Sequence, residues 1–151
     1  MNVIPIRIIL PVLFSTTLLL TGGHASGGRD PDAARMVSSY NNLGISLYNL
    51  VAAENEGCNI FISPISISVA LAMTHNGASG GTAEEMDNVL GLEGWSQEKM
   101  NETNGKLLER LGEQMEGITL DIANSIWCRD GLRFDPLFLE RTSDYFGAEA
   151  H

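Results

Sequence analysis

The chain has few positively charged, histidine, cysteine and aromatic residues. Its 151 residues include nine lysines and arginines against nineteen aspartates and glutamates, which gives a net charge of −10 at pH 7. A surface of that sign repels nucleic acids and anionic membranes, so neither is an expected partner. The three histidines and two cysteines are scattered, and no C-x-x-C or paired-histidine pattern is present to bind zinc. We therefore expect no metal and no cofactor.

Long apolar runs are also missing, except for one near the N-terminus. Arg7 precedes the run 8–20, and small residues follow it up to Ala25, a pattern typical of a secretory signal peptide. The run falls short of the roughly 20 apolar residues that a membrane-spanning helix needs, so cleavage is favoured over anchoring. We expect residues 1–25 to be a signal peptide, residues 26–151 to be secreted, and no membrane association after cleavage.

Export would permit two modifications. Cys58 and Cys128 are a possible disulfide, but their spacing does not indicate proximity, and two unpaired thiols fit equally well. The sequence Asn101-Glu102-Thr103 is a glycosylation sequon, which makes Asn101 a possible N-glycosylation site.

Capping signals and apolar periodicity predict about five helices. The first is expected to be amphipathic, and the second is apolar on every side, which is typical of a buried helix. In the third, Thr82 and Glu85 form a T-x-x-E capping box. The helices are expected to start at Asp30-Pro31, Ser63-Pro64, Thr82, Ser96 and Asp135-Pro136. Helix ends are expected at Gly91 and Gly147. The expected apolar stripe of the first helix is Val37, Tyr40, Gly44, Leu47 and Val51.

Two segments are predicted to be strands. Residues 59–62 are a short run with β-branched and aromatic members, predicted as a buried strand that leads straight into the second helix. Residues 118–128 change to a period of two, and Asn124 interrupts their apolar row. The expected fold class is therefore α+β and mainly helical, with one short buried strand and one long strand.

The order of these signals resembles the serpins, the serine protease inhibitor superfamily. Residues 61–66, Phe-Ile-Ser-Pro-Ile-Ser, are similar to the family's Phe-x-Ser-Pro-x-Ser, and residues 77–82 are similar to its Gly-Ala-x-Gly-x-Thr. Residues 122–127 resemble the family's Ala-Asn strand, and residues 145–148 continue the likeness. The resemblance covers about residues 33–150 and implies the N-terminal portion of the serpin fold, with the rest absent.

The resemblance implies a structural role for two serines. In serpins the matching Ser63 and Ser66 lie beneath the main sheet, with an asparagine from elsewhere, in a shutter region that controls sheet opening. By residue type alone, the Ser63 hydroxyl oxygen is expected to accept a hydrogen bond from a backbone amide at a helix start. Asn124 is expected to be a hydrogen-bonded structural asparagine and is grouped with the two serines as shutter-like. His75 is expected to be a packed or capping residue.

The resemblance implies that full-length relatives inhibit serine or cysteine proteases with a reactive-centre loop near the C-terminus. This sequence has no counterpart of that loop, so no reactive-centre residue is assigned. We expect a partial serpin domain that is not inhibitory by itself and that folds incompletely alone. A non-inhibitory secreted helical binding module is the alternative. A hydrolase built on Ser63 and His75 is disfavoured because no Gly-x-Ser-x-Gly elbow is present.

The fourth helix corresponds to the one that binds heparin in some serpins. Its basic residues alternate with glutamates, which cancels positive potential locally, so heparin is not an expected partner. The basic residues are Lys99, Lys106 and Arg110, and the acidic ones are Glu98, Glu102, Glu109 and Glu113.

Overall fold

A computed structural model describes residues 30–113, 122–129 and 131–150. The expected mainly helical α+β class is confirmed. The expected signal peptide, residues 1–25, lies outside the described residues, and none of the helices within them is both long and apolar enough to cross a membrane. The elements are α1 (Pro31–Glu54), α2 (Pro64–His75), α3 (Gly81–Leu90), α4 (Gln97–Gly112), β1 (Ser125–Ile126), α5 (Pro136–Phe146) and β2 (Glu149–Ala150).

Four helices begin where their capping residues predict. Each cap has an extended backbone, and its side-chain oxygen accepts a hydrogen bond from an amide in the first turn. The helices α3 and α5 end at Gly91 and Gly147, whose φ angles of 66° and 59° are left-handed. The four capping residues are Asp30, Ser63, Ser96 and Asp135.

The predicted capping box of α3 is wrong. The helix begins at Gly81, its N-cap is Gly80, and no side chain accepts a hydrogen bond there. Gly80 has a φ of 57°, which a glycine adopts without strain and which turns the backbone into the helix earlier than expected. Thr82 and Glu85 consequently lie inside the helix.

The second helix is the centre of the molecule. It packs against α1, α3, α4 and α5, and Val69, Ala72 and Met73 are buried on the side that faces them. Its opposite side is exposed at Ser66 and Ala70, so the helix is less completely buried than its composition predicts. The buried apolar core is Met36, Tyr40, Val69, Ala72, Met73, Leu90, Leu92, Met100, Phe146 and Ala148.

The buried face of α1 is rotated slightly from the predicted one. Tyr40 and Gly44 are buried as expected, but Met36 completes the row, and Val37 is 40% exposed. The buried residues recur every four positions, which is the spacing of a ridge that packs into the groove of a crossing helix. The crossing helix is α2.

The two helices meet at a glycine. A Cβ atom on Gly44 would lie 2.4 Å from the Cβ atom of Pro64 and 2.5 Å from its Cγ atom. The backbone of α1 can therefore touch the first residue of α2 only because position 44 has no side chain.

One predicted strand is absent, and the other is shorter than expected. Residues 59–62 form no strand, and the Phe61 side chain is 96% exposed. In the 122–129 segment only Ser125–Ile126 is a strand, which pairs in parallel with Glu149–Ala150. Residues 118–121 lie outside the described residues. A strand needs a neighbour to accept and donate its backbone hydrogen bonds, and within the described ranges no segment pairs with residues 59–62.

Replacing Gly44 with alanine should destabilise the protein. The added methyl group would overlap Pro64 and cost about 1–3 kcal/mol of unfolding free energy, more than the ~1 kcal/mol that alanine contributes to helix propensity. Urea unfolding followed by circular dichroism measures the difference. The matched control is Gly112→Ala, because nothing lies within 4 Å of a Cβ there. Equal stability of the two variants would contradict the close contact.

Candidate functional site

A cavity of about 460 Å³ lies where α1, α2 and α4 face the segment that leads into β1. Most of its described lining is apolar, and its polar groups are neutral hydroxyls and amides. Ser63, Ser66 and Asn124, which are predicted to share a site, all line it. The lining residues are Val37, Tyr40, Asn41, Ser63, Ile65, Ser66, Val69, Leu107, Leu108, Leu111, Ile122, Ala123 and Asn124.

The two serines form one edge of the cavity. The Ser63 hydroxyl oxygen accepts a hydrogen bond from the Ser66 amide at 3.4 Å, which caps α2 as predicted. The two hydroxyl oxygens are 2.7 Å apart, so one donates to the other. The two serine side chains are therefore held together at the start of α2, where Ser66 is exposed.

Asn124 joins the cavity to α5 and β2. Its Nδ2 atom donates to the carbonyl oxygen of Phe146 at 2.9 Å, and its backbone carbonyl oxygen accepts from the Glu149 amide at 3.2 Å. These bonds span the left-handed turn at Gly147 that ends α5. The predicted structural asparagine is thus a link between the last helix and the small sheet.

The floor of the cavity contains a buried polar contact that the sequence does not identify. The Tyr40 hydroxyl donates to Oδ1 of Asn104 at 2.9 Å, and Asn104 Nδ2 donates to the Met100 carbonyl oxygen at 3.0 Å. Burial raises the pKa of Tyr40 to about 12, although the hydrogen bond to Asn104 acts in the opposite direction. The available signal was an asparagine on the apolar face of α4, which needs a polar partner when it is buried.

A second buried amide contact connects α2 to α4. Asn76 Nδ2 donates to Asn101 Oδ1 at 2.9 Å, and Asn101 Nδ2 donates to Asn76 Oδ1 at 2.7 Å. Asn101 is 0% exposed. A glycan would be attached to this Nδ2 atom, so the possible N-glycosylation of Asn101 is incompatible with this geometry.

His75 is packed between helices, as expected. Its Nε2 atom lies 2.9 Å from Oδ1 of Asp87, and its carbonyl oxygen accepts a hydrogen bond from Gln97 at 3.4 Å. Ser63 and His75 lie at opposite ends of α2, roughly 18 Å apart by the rise of a helix. A serine and histidine so separated cannot act as nucleophile and base, and this removes the basis for a hydrolase.

The cysteines and possible metal ligands add no chemistry in the described residues. Cys58 is exposed, Cys128 is partly buried, and both are free thiols, so the possible disulfide is not formed. Within residues 30–113, 122–129 and 131–150, no group of three or more histidine, cysteine, aspartate or glutamate residues could hold a metal ion.

Stability should fall as pH rises from 10 to 12, and Tyr40 should account for part of the loss. The pKa of Tyr40 is higher in the folded protein than the ordinary value of 10.0, so its contribution is complete below pH 10 and disappears as pH approaches 12. The expected loss is on the order of 1–3 kcal/mol. Chemical unfolding of the native protein and of Tyr40→Phe across this range measures it. A Tyr40→Phe variant that loses as much stability over the same range would contradict this assignment.

Comparison with known proteins points to one family. The model of the serpin (serine protease inhibitor) family matches residues 38–151. Serine protease inhibitor 42Dd of Drosophila melanogaster is 33% identical over 104 residues, covering 69% of this chain and 28% of the relative. Human neuroserpin is 30% identical over 143 residues, covering 90% of this chain and 32% of the relative. The matched residues thus span less than a third of the length of either relative.

Solved structures agree. Human glycosylated kallistatin matches with a TM-score of 0.73 at 26% identity, over 79% of this chain and 32% of kallistatin. Cleaved Serpin 42Da matches with a TM-score of 0.68 at 27% identity, over 78% of this chain and 31% of the other.

Proposed function

The chain belongs to the serpin (serine protease inhibitor) family, and we propose that it forms the N-terminal supporting part of a protease inhibitor. In this proposal the cavity beside Ser63, Ser66 and Asn124 governs how readily the main β-sheet of the whole inhibitor opens. The observation that supports it most directly is the convergence of these three residues on one cavity. The partner of the whole inhibitor would be a serine or cysteine protease.

The chemistry of the cavity suits a region where strands separate and pair again. Its described lining has hydroxyl and amide groups but no carboxylate, ammonium or guanidinium group. A strand that moves across such a surface buries no unpaired charge, and short polar groups can exchange hydrogen bonds with it. Neutral lining therefore lowers the energetic barrier to the rearrangement.

We propose that residues 1–151 supply a supporting part of the serpin fold and do not include a reactive-centre loop. Serpins trap a protease through the reactive-centre loop, and the sequence contains no segment that resembles it. We therefore expect residues 1–151 by themselves to be non-inhibitory and to be cleaved by a protease as an ordinary substrate.

Incubation with trypsin-, chymotrypsin- and papain-like proteases tests this expectation. The expected result is no covalent complex on a denaturing gel and no loss of protease activity toward a small substrate. A denaturant-resistant complex that forms with active protease, and not with protease whose nucleophile has been blocked, would contradict it.

The role of Asn124 can be tested within these 151 residues. Asn124→Ala removes the hydrogen bond to the Phe146 carbonyl oxygen, worth about 0.5–1.5 kcal/mol. Amide hydrogen exchange at Ala148 and Glu149 should become about 2- to 12-fold faster if local opening governs the exchange. The matched control is Asn42→Ala, since Asn42 is exposed on α1. Unchanged exchange in Asn124→Ala would oppose a linking role for this side chain.

Heparin is not a proposed partner, although kallistatin has been solved as a complex with heparin. On α4, the Lys99 ammonium group already lies 2.7 Å from an Asp32 carboxylate oxygen and 4.6 Å from the ring centre of Trp95. The remaining basic residues of α4 alternate with glutamates, so a polyanion would meet both signs of charge.

Export is part of the same proposal. Residues 1–25 have the charged, apolar and small-residue order of a signal peptide, and we propose that they direct the protein out of the cell.

A further inference from the structure

Asparagine precedes glycine at two positions in the sequence, Asn76-Gly77 and Asn104-Gly105. This dipeptide is the one most prone to deamidation, because glycine has no side chain to keep its backbone nitrogen away from the preceding amide. Both asparagines are buried, with exposed fractions of 7% and 0%. The two most labile amides of the protein thus lie inside its folded state.

Both side chains are held by hydrogen bonds that orient the amide group. Asn76 Nδ2 donates to the Ala72 carbonyl oxygen at 3.2 Å and to Asn101 Oδ1 at 2.9 Å, and Asn76 Oδ1 accepts from Asn101. Asn104 accepts from Tyr40 and donates to Met100. Neither side chain is free to rotate toward the backbone nitrogen that follows it.

The attacking nitrogens are engaged as well. The Gly77 amide donates to the Thr74 carbonyl oxygen at 3.0 Å. Gly105 lies inside α4, and in a regular α-helix each interior amide donates a hydrogen bond to the carbonyl oxygen four residues earlier. In the folded state neither amide nitrogen can approach the Cγ atom of its asparagine.

The last helix covers both glycines. A Cβ atom on Gly77 would lie 3.3 Å from the Phe138 ring, and one on Gly105 would lie 3.4 Å from the Tyr145 carbonyl oxygen. Arg141 Nη1 also donates to Gln97 Oε1, which ties α5 to the start of α4. A side chain at position 77 would therefore crowd the Phe138 ring, whereas the contact at position 105 is an ordinary van der Waals distance.

We propose that Asn76 and Asn104 are conditional deamidation sites, protected while α1, α2, α4 and α5 stay packed and reactive when that packing opens. The Gly77 or Gly105 nitrogen loses its proton to water and bonds to the asparagine Cγ atom, and the bond from Cγ to Nδ2 breaks to release ammonia. Water then opens the resulting succinimide ring, which leaves aspartate or isoaspartate. No oxidant or cofactor is involved, and the modification stands apart from protease inhibition.

The product should make the folded state less stable. Aspartate at position 76 would turn a carboxylate oxygen toward the Ala72 carbonyl oxygen, to which the amide nitrogen now donates, and aspartate at position 104 would do the same toward Met100. Each change buries a negative charge that keeps only one of these donors, from Asn101 or from Tyr40, and leaves a carbonyl oxygen unpaired. Deamidation would therefore shift the equilibrium away from the folded state.

Peptide mass spectrometry of the whole protein, incubated at mildly alkaline pH with and without guanidinium chloride, measures the rates. We expect both sites to react at least about 10-fold more slowly without denaturant, equivalent to an opening free energy above about 1.4 kcal/mol. Asn42 is the internal control, since it is exposed on α1 and precedes leucine. It should react slowly in both conditions. Equal rates at Asn76 and Asn104 with and without denaturant would overturn the proposal.

Two aspartate variants test the effect of the product on stability. Asn76→Asp and Asn104→Asp should each lower the denaturant midpoint, whereas Asn42→Asp should leave it unchanged within error. Buried variants as stable as the native protein would refute this destabilisation even if the deamidation rates differ as expected.

Discussion

The close approach of α1 and α2 at Gly44 and Pro64 is the constraint on which the rest of the structure depends. Glycine inside a helix costs about 0.5–1 kcal/mol, but here its missing side chain lets the first residue of α2 rest directly on α1. That contact sets how closely the first turn of α2 approaches α1. It consequently determines where Ser63 and Ser66 lie relative to Tyr40, and so forms one wall of the cavity.

Neutral amides join the helices in addition to the apolar core. Asn76 and Asn101 link α2 to α4, and Asn104 links α4 to α1 through Tyr40. Each can both donate and accept without adding charge, which satisfies buried polar groups at little electrostatic cost. Partly satisfied networks are costly, so this arrangement favours one packing of the helices over others. The same property makes the labile amides depend on an intact fold.

Sequence patterns predicted the helices well because the relevant forces act within a single turn. Asp30, Ser96 and Asp135 cap helices using amides two or three residues away, and Gly91 and Gly147 end helices by their own backbone angles. The failures arose where distant neighbours decide. Residues 59–62 have the composition of a strand but no paired neighbour among the described residues.

By itself, the sequence determined the helical class, the family and the polar residues worth examining, because caps, stops and motif spacing are local. Only the tertiary structure decided which of those residues meet. Asn101 carries a sequon but is buried against a residue 25 positions away, and the Tyr40 hydroxyl finds an amide 64 positions away. Such contacts depend on how helices cross, and that geometry arises from packing between segments rather than from the order of residues within one of them.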